Sequence, residues 1–184
     1  MIRPLPQDVE ALLAKLNAPK RLTKHLLIVH DVAATLADAF QQAWATLPLD
    51  KDLVRFGAAT HDIGKVLHQN ELYGHGSRHE EDGPNLLMEH GYTPEQSRFA
   101  RTHGSWRTEP DLTLEDLLVA MADTCWKGQR ESELETMIAK MISQQLGVES
   151  WEVYVELDDV LEEIASKAEE RLALQGGEGI PLIL

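Results

Sequence analysis

The chain has little cysteine, little positive charge and no long apolar run, and each shortage excludes a class of protein. With Cys125 as the one cysteine, neither an internal disulfide nor a cysteine-rich zinc site can form, so any metal must be bound by histidine and carboxylate. The net charge of −14 argues against bulk binding to nucleic acid, which needs a basic surface. A small anionic ligand remains compatible where metal ions dominate the local field.

The same shortages bear on location and domain organisation. No apolar run approaches the roughly 18 to 20 residues that span a membrane, and the N-terminal MIRPLPQDVE lacks the apolar core of a secretion signal. We therefore expect a cytoplasmic protein that does not contact membranes. A length of 184 residues suits one domain, residues 1–184. The apolar stretch Ile180 to Leu184 either covers the chain's own core or packs against a second copy, which leaves a homodimer open.

Apolar residues recur at helical spacing along nearly the whole chain, and strict alternation is confined to WEVYV at 151–155. This pattern predicts an all-α fold, a bundle of roughly six to eight helices. Thr93 followed by Gln96, and Thr113 followed by Asp116, are typical of capped helix starts. A loop is expected between 68 and 78, and the tail GGEGIPLIL is expected to be irregular. The predicted helices are Asp8 to Leu16, Leu22 to Trp44, Lys51 to Leu67, His79 to Glu89, one beginning at Thr93, Leu114 to Trp126, Ser132 to Leu146 and Trp151 to Leu174.

The stretch ATHDIGK at 59–65 indicates chemistry most clearly. Neighbouring side chains on a helix point about 100° apart, so His61 and Asp62 can line one wall of a cleft but need partners from other helices. Burying such a pair in an apolar helix is costly without those partners. Lys65 lies one turn beyond His61, which places a cation near the pair.

The order of these residues resembles the HD superfamily of metal-dependent phosphohydrolases, in which a histidine on an early helix precedes the HD pair and an aspartate on a later helix follows it. His25 in HLLIVHDVAATLA corresponds to the early histidine, and Asp123 in VAMADTCWKGQR to the late aspartate. His79 in HEEDGPNLL and His103 in RTHGSW resemble the two additional histidines of members with a binuclear site. The resemblance covers a motif-bearing core at about 22–130, which C-terminal helices at 131–174 follow.

This resemblance implies hydrolysis of a phosphomonoester or phosphoanhydride of a nucleotide or another small phosphorylated metabolite. It also implies two bound divalent transition-metal ions. Histidine and carboxylate ligands are suitable for iron, manganese, cobalt, nickel and zinc. Asp62 would bridge the ions, a hydroxide between them would be the nucleophile, and Lys65 would balance charge on the phosphoryl oxygens. The implied ligands are His25, His61, Asp62 and Asp123 for one ion, and Asp62, His79 and His103 for the other.

Several residues compete with these. His30 rivals His25, because His30 and Asp31 form a second HD pair, and the apolar spacing that follows His25 is what favours it. The other histidines near the implied ligands are His75 and His90. The carboxylates of Glu80, Glu81 and Asp82 have two interpretations. They either accept a hydrogen bond from a ligating histidine or are solvent-exposed residues at the start of a helix. Some of the nearby cations could bind a substrate phosphate, but most are expected to form surface ion pairs: Arg78, Arg101, Arg107, Lys127 and Arg130. Trp106 and Trp126 suit core packing or stacking on a base.

Two other functions stay open. One is a di-iron oxygenase of the same superfamily, members of which also resemble HDIGK at this point. The other is a non-catalytic module that binds a ligand without turnover, against which the complete ligand set argues.

Overall fold

The computed structural model describes residues 2–176, and all the regular structure in that range is helical. The all-α fold is therefore confirmed. The described residues form ten α-helices, because breaks at Arg98 and Lys167 divide segments that would otherwise be continuous. They also form two 3₁₀ helices, Ile63–Val66 and Gln69–Leu72. The α-helices are α1 Gln7–Lys15, α2 Lys20–Ala43, α3 Lys51–Thr60, α4 Arg78–Glu89, α5 Pro94–Ser97, α6 Phe99–Ser105, α7 Leu114–Cys125, α8 Ser132–Leu146, α9 Ser150–Ser166 and α10 Ala168–Gly176.

Helix α2 is the central element and contacts α3, α7, α9 and α10. Its fully buried apolar residues are spaced three or four apart, as at Val29, Ala33, Leu36 and Phe40, so they form one continuous face. Burial of this face accounts for the position of the helix, because each large apolar side chain removed from water contributes about 1.5 to 3 kcal/mol.

Two apolar clusters form the core, and the candidate site lies where they meet. The larger joins most of α2 to α7, α8 and α9, and the smaller joins α1, the start of α2, the end of α3 and α4. On α2, His25 lies between Leu22 of the smaller cluster and Ile28 of the larger. At the end of α3, His61 likewise follows Ala58 of the larger cluster and precedes Ile63 of the smaller.

Both predicted capping boxes are confirmed. Thr93 and Gln96 exchange hydrogen bonds at the start of α5, and Thr113 and Asp116 do so at the start of α7. Asp116 also accepts hydrogen bonds from Arg98 Nε at 2.9 Å and from Thr102 Oγ1 at 2.8 Å. This buried carboxylate therefore links α7 to α6, the helix that carries His103.

The prediction of one helix from Lys51 to Leu67 is wrong. Helix α3 ends at Thr60, and the chain passes through Asp62, with φ −99° and ψ 12°, into the first 3₁₀ helix. His61 and Asp62 thus lie just beyond a helix end. The tighter 3₁₀ turn brings the backbone of Gly64 against the backbone of His79, a contact that any side chain at 64 would obstruct.

The single helix expected from Trp151 to Leu174 is also divided, into α9 and α10. Arg171 folds back and donates from Nη1 to the Ile164 carbonyl at 2.6 Å, which satisfies one of the carbonyls that the end of α9 leaves free. The alternating stretch WEVYV lies inside α9 and is helical. In the expected loop, residues 69–72 form the second 3₁₀ helix.

No helix within residues 2–176 is long and apolar enough to cross a membrane. The tail expected to be irregular lies outside the described residues from 177 onward, as does the stretch Ile180 to Leu184 on which the homodimer depends. Organisation as one domain stays a prediction.

Candidate metal centre

Six residues that the sequence singled out converge from five segments of the chain. His25 lies on α2, His61 and Asp62 follow α3, His79 lies in the first turn of α4, His103 on α6 and Asp123 on α7. They form three overlapping triads, in each of which the ligand atoms lie within 4.8 Å of one another. The side chains are deeply buried except on one side, where His25 and Asp123 remain 14% and 31% exposed. Access from solvent is therefore past these two residues.

The first group of donor atoms surrounds Nε2 of His25. This nitrogen lies 3.2 Å from His61 Nε2, 3.1 Å from Asp123 Oδ1 and 3.2 Å from Asp62 Oδ2. His61 Nε2 lies 3.3 Å from the same Asp123 oxygen. Donors bound at about 2.0 to 2.2 Å to one ion are separated by about 3 to 3.5 Å. The four side chains therefore fit a single transition-metal ion.

A second group forms on the other oxygen of Asp62. Oδ1 lies 3.2 Å from His79 Nε2 and 3.5 Å from His103 Nε2. It is buried yet has no hydrogen-bond partner, which is costly for a carboxylate oxygen. An ion between Oδ1 and the two imidazoles would satisfy it. The two oxygens of Asp62 thus face two different donor groups, as a bridging ligand requires.

Hydrogen bonds to the far sides of the rings fix which nitrogen is available. Nδ1 of His61 lies 2.8 Å from the Ala58 carbonyl, and Nδ1 of His103 lies 3.0 Å from the Phe99 carbonyl. A carbonyl only accepts, so each Nδ1 carries the proton and each Nε2 presents a lone pair to the cluster. This arrangement is typical of histidines that ligate a metal.

His79 is oriented by Glu71, a residue that the sequence did not single out. Glu71 Oε2 lies 2.6 Å from His79 Nδ1 and also accepts from the His79 backbone N–H at 3.2 Å. Burial raises the pKa of Glu71, but its bonds to His79 and to the Arg78 N–H outweigh this and lower it, so it is a carboxylate at neutral pH. Nothing in the local sequence marks Glu71, because its role depends on the fold of the second 3₁₀ helix.

The acidic residues predicted as partners for a ligand have other positions. Asp82 lies 2.6 Å from Nε2 of His68, and Glu81 is exposed and contributes no ion pair within residues 2–176. Glu80 comes within 4.0 Å of His79, but at Nε2, the ligating nitrogen. None of the three therefore contacts the far side of a ligating histidine in the described residues, and of the two interpretations the solvated helix start fits Glu81.

Lys65 does lie beside the pair, as predicted. Its Nζ is 2.6 Å from Asp62 Oδ2, and its side chain is 19% exposed. An ammonium group has three N–H donors, so the bond to Asp62 leaves two for another acceptor.

Both aspartates of the cluster are ionised. Burial raises the pKa of Asp62 and of Asp123, but their electrostatic interactions with His61 and the other neighbouring histidines outweigh burial and hold both values well below the usual range. Burial lowers the pKa of His25, yet its bonds to Asp123 and Asp62 outweigh this and raise it to about 9. Two ionised carboxylates in a buried cluster provide the field that divalent cations need.

The other residues that the sequence suggested for the site are not ligands in the three triads. Trp106 and Trp126 both belong to the larger apolar core, and Trp126 also packs edge-on against His25 with ring centroids 5.6 Å apart. Neither His75 nor His90 joins a cluster of possible ligands in the described part of the chain. Three of the predicted cations form ion pairs, namely Arg101, Arg107 and Arg130. Arg130 pairs both with the buried Glu135 and with the exposed Asp158.

His30, the rival of His25, lies away from all of these ligands. It is 4% exposed, and its Nδ1 makes no hydrogen bond. Burial, helped by the charges of Arg55 and Arg3, lowers its pKa to about 4 even though Asp31 opposes the shift. His30 is therefore a neutral, buried histidine of the core.

Because the pKa of His30 falls from 6.5 to about 4 on folding, the unfolded chain binds its proton more readily. The stability that this group contributes is complete above pH 6.5 and is lost as the pH falls toward 4. The unfolding free energy of both proteins should fall when the pH is lowered from 7 to 4.5. We expect the fall to be smaller in His30→Gln than in the unchanged protein, by roughly 1 to 3 kcal/mol. Urea denaturation of both proteins at the two pH values measures this, and equal losses would contradict it.

Comparison with known families agrees with this geometry. A family model described as HD domain matches residues 22–126, which is more than half of the chain. The chain belongs to the HD domain family. The match begins and ends close to the core expected at about 22–130, and it contains all six clustered residues and Lys65. HD domains are typically metal-dependent hydrolases. No curated protein and no solved structure matches the chain.

Proposed function

We propose that this HD domain is a metal-dependent phosphohydrolase that cleaves a phosphomonoester or phosphoanhydride of a nucleotide or another small phosphorylated metabolite. The observation that carries the proposal is the position of Asp62, whose two oxygens face two separate histidine-containing groups while Oδ1 lacks a hydrogen bond. A carboxylate shared in this way is typical of sites that hold two ions for phosphoryl chemistry.

The donor set suits iron, manganese, cobalt, nickel or zinc, since it combines imidazole nitrogens with carboxylate oxygens. His25, His61, Asp62 and Asp123 would hold one ion, and Asp62, His79 and His103 the other. When bound, such ions act as Lewis acids toward phosphate and lower the pKa of a coordinated water.

The residues around the metal centre would supply a positive charge and a route for the substrate. Lys65 is held at Asp62 Oδ2 and retains donors for a phosphoryl oxygen, where its charge would offset the charge that develops during cleavage. The substrate would enter past His25 and Asp123, the two most exposed ligands, beside the ring of Trp126.

The test uses purified protein loaded in turn with Mn²⁺, Fe²⁺ or Co²⁺ and assayed for phosphate release from nucleoside mono-, di- and triphosphates and sugar phosphates. We expect release with at least one metal and substrate. His25→Gln should reduce it to the metal-free background because one donor of the first group is lost, whereas His30→Gln should retain it.

Two results would contradict the proposal. One is the absence of phosphate release with every metal while the iron-loaded, reduced protein consumes oxygen, which would favour the oxygenase. The other is phosphate release that survives His25→Gln, which would place the hydrolysis outside this centre. Location in the cytoplasm stays a prediction.

A further inference from the structure

Glu80 lies beside the second donor group and has no explained role. It follows His79 in the first turn of α4, and its side chain is 22% exposed. Its Oε1 is 4.0 Å from His79 Nε2. A Cβ added to Gly104 would come 2.5 Å from the same oxygen, so the carboxylate rests directly on the backbone next to His103. The carboxylate therefore lies beside His79 and against the backbone next to His103.

The surroundings of Glu80 do not neutralise it. Within residues 2–176 no hydrogen bond reaches its oxygens, and its one ion-pair contact is the distant His79 nitrogen. Glu71, in the second 3₁₀ helix, by contrast accepts three hydrogen bonds. Holding a partly buried carboxylate against backbone without such partners costs free energy unless a cation satisfies it.

The two donor groups are also unequal. The first has four protein donors, from His25, His61, Asp62 and Asp123, and the second has three, from Asp62, His79 and His103. In the second group the charge comes from Asp62 alone, which that group shares with the first. A further carboxylate would complete four donors and supply unshared negative charge.

We propose that Glu80 is the fourth protein ligand of the second ion. The inference rests on the metal centre described under the proposed function. Neighbouring donors on one ion are separated by about 3 to 3.5 Å and opposite donors by about 4.0 to 4.4 Å when the bonds are about 2.0 to 2.2 Å. The 4.0 Å between Glu80 Oε1 and His79 Nε2 therefore suits donors that lie nearly opposite each other on the ion. A carboxylate ligand favours harder ions such as Mn²⁺, so Glu80 contributes more to manganese binding than to zinc binding at this position.

The experiment compares Glu80→Gln with Glu81→Gln in the full chain. The two variants remove the same charge from adjacent residues of α4, and Glu81 is exposed and without an ion pair in the described residues. Mn²⁺ binding is titrated by calorimetry, and electron paramagnetic resonance detects the magnetic coupling of a manganese pair. Circular dichroism confirms that each variant is folded.

We expect two Mn²⁺ per chain, with a coupled spectrum, for the unchanged protein and for Glu81→Gln. Glu80→Gln should keep the first ion and bind the second at least about tenfold more weakly, with loss of the coupled signal. Glu80→Asp keeps the charge but is one methylene shorter, and it should also weaken the second ion. The weakening in Glu80→Gln should be smaller with Zn²⁺.

Equal affinity for the second ion in Glu80→Gln and Glu81→Gln would overturn the assignment of Glu80 and leave the metal centre intact. Unchanged affinity in Glu80→Asp would show that charge rather than contact matters, which also overturns direct ligation. An unchanged protein that binds fewer than two Mn²⁺ would overturn the two-ion centre itself, and with it the proposed function.

Discussion

Asp62→Asn is expected to abolish the binding of both metal ions and with it phosphate release. The change removes the one charge that both donor groups share and replaces one oxygen by an amide group, which cannot ligate a metal in the same way. Loss of a bridging carboxylate should reduce turnover by about 1,000-fold or more. Metal content by mass spectrometry and phosphate release measure the two effects.

Asp31→Asn is the matched control, because the chain contains the pair His30 and Asp31 as well as His61 and Asp62. Asp31 binds Arg3 at the surface of α2 and lies outside the ligand clusters of the described residues. Its change to asparagine should leave two ions and full activity. If Asp62→Asn still bound two ions, or if Asp31→Asn lost them, the metal centre would not be at Asp62.

The two His-Asp pairs show how much of the site can be predicted from the sequence. Both consist of the same two residue types in a helical region with apolar neighbours, so the local pattern alone does not show which pair binds metal. The order of the remaining ligands does separate them, because only His61 and Asp62 have His25 one helix earlier and Asp123 on a later helix. This order carries the resemblance to the HD superfamily, and the resemblance predicts which distant residues converge.

What the sequence could not predict depends on backbone conformation between the helices. Glu71 orients His79 only because residues 69–72 form a 3₁₀ helix that returns the carboxylate to the start of α4. The end of α3 at Thr60 is not predictable for a similar reason, since residues 51–67 have unbroken helical periodicity. The conformation there is decided by a close tertiary contact at Gly64, which periodicity does not report.

That contact has a testable consequence, because Gly64→Ala is expected to damage both the fold and the second donor group. A Cβ at 64 would collide with the His79 carbonyl oxygen and lie 2.8 Å from the Cα of His79. Backbone cannot move aside as a flexible side chain can, so α4 must shift away from the 3₁₀ helix. Urea denaturation in the presence of a chelator should show a loss of about 2 to 4 kcal/mol of unfolding free energy.

The shift would also move His79 away from Asp62 Oδ1, so the second ion should bind more weakly than the first in Gly64→Ala. Gly74→Ala is the control, since the nearest atom to its added Cβ is the Asn70 carbonyl oxygen at an ordinary 3.7 Å. It should change stability by less than about 0.5 kcal/mol and bind both ions. Equal stability of the two variants would mean that the backbones at Gly64 and His79 can separate without cost. A second ion retained at full affinity in Gly64→Ala would mean that the position of α4 does not control the centre.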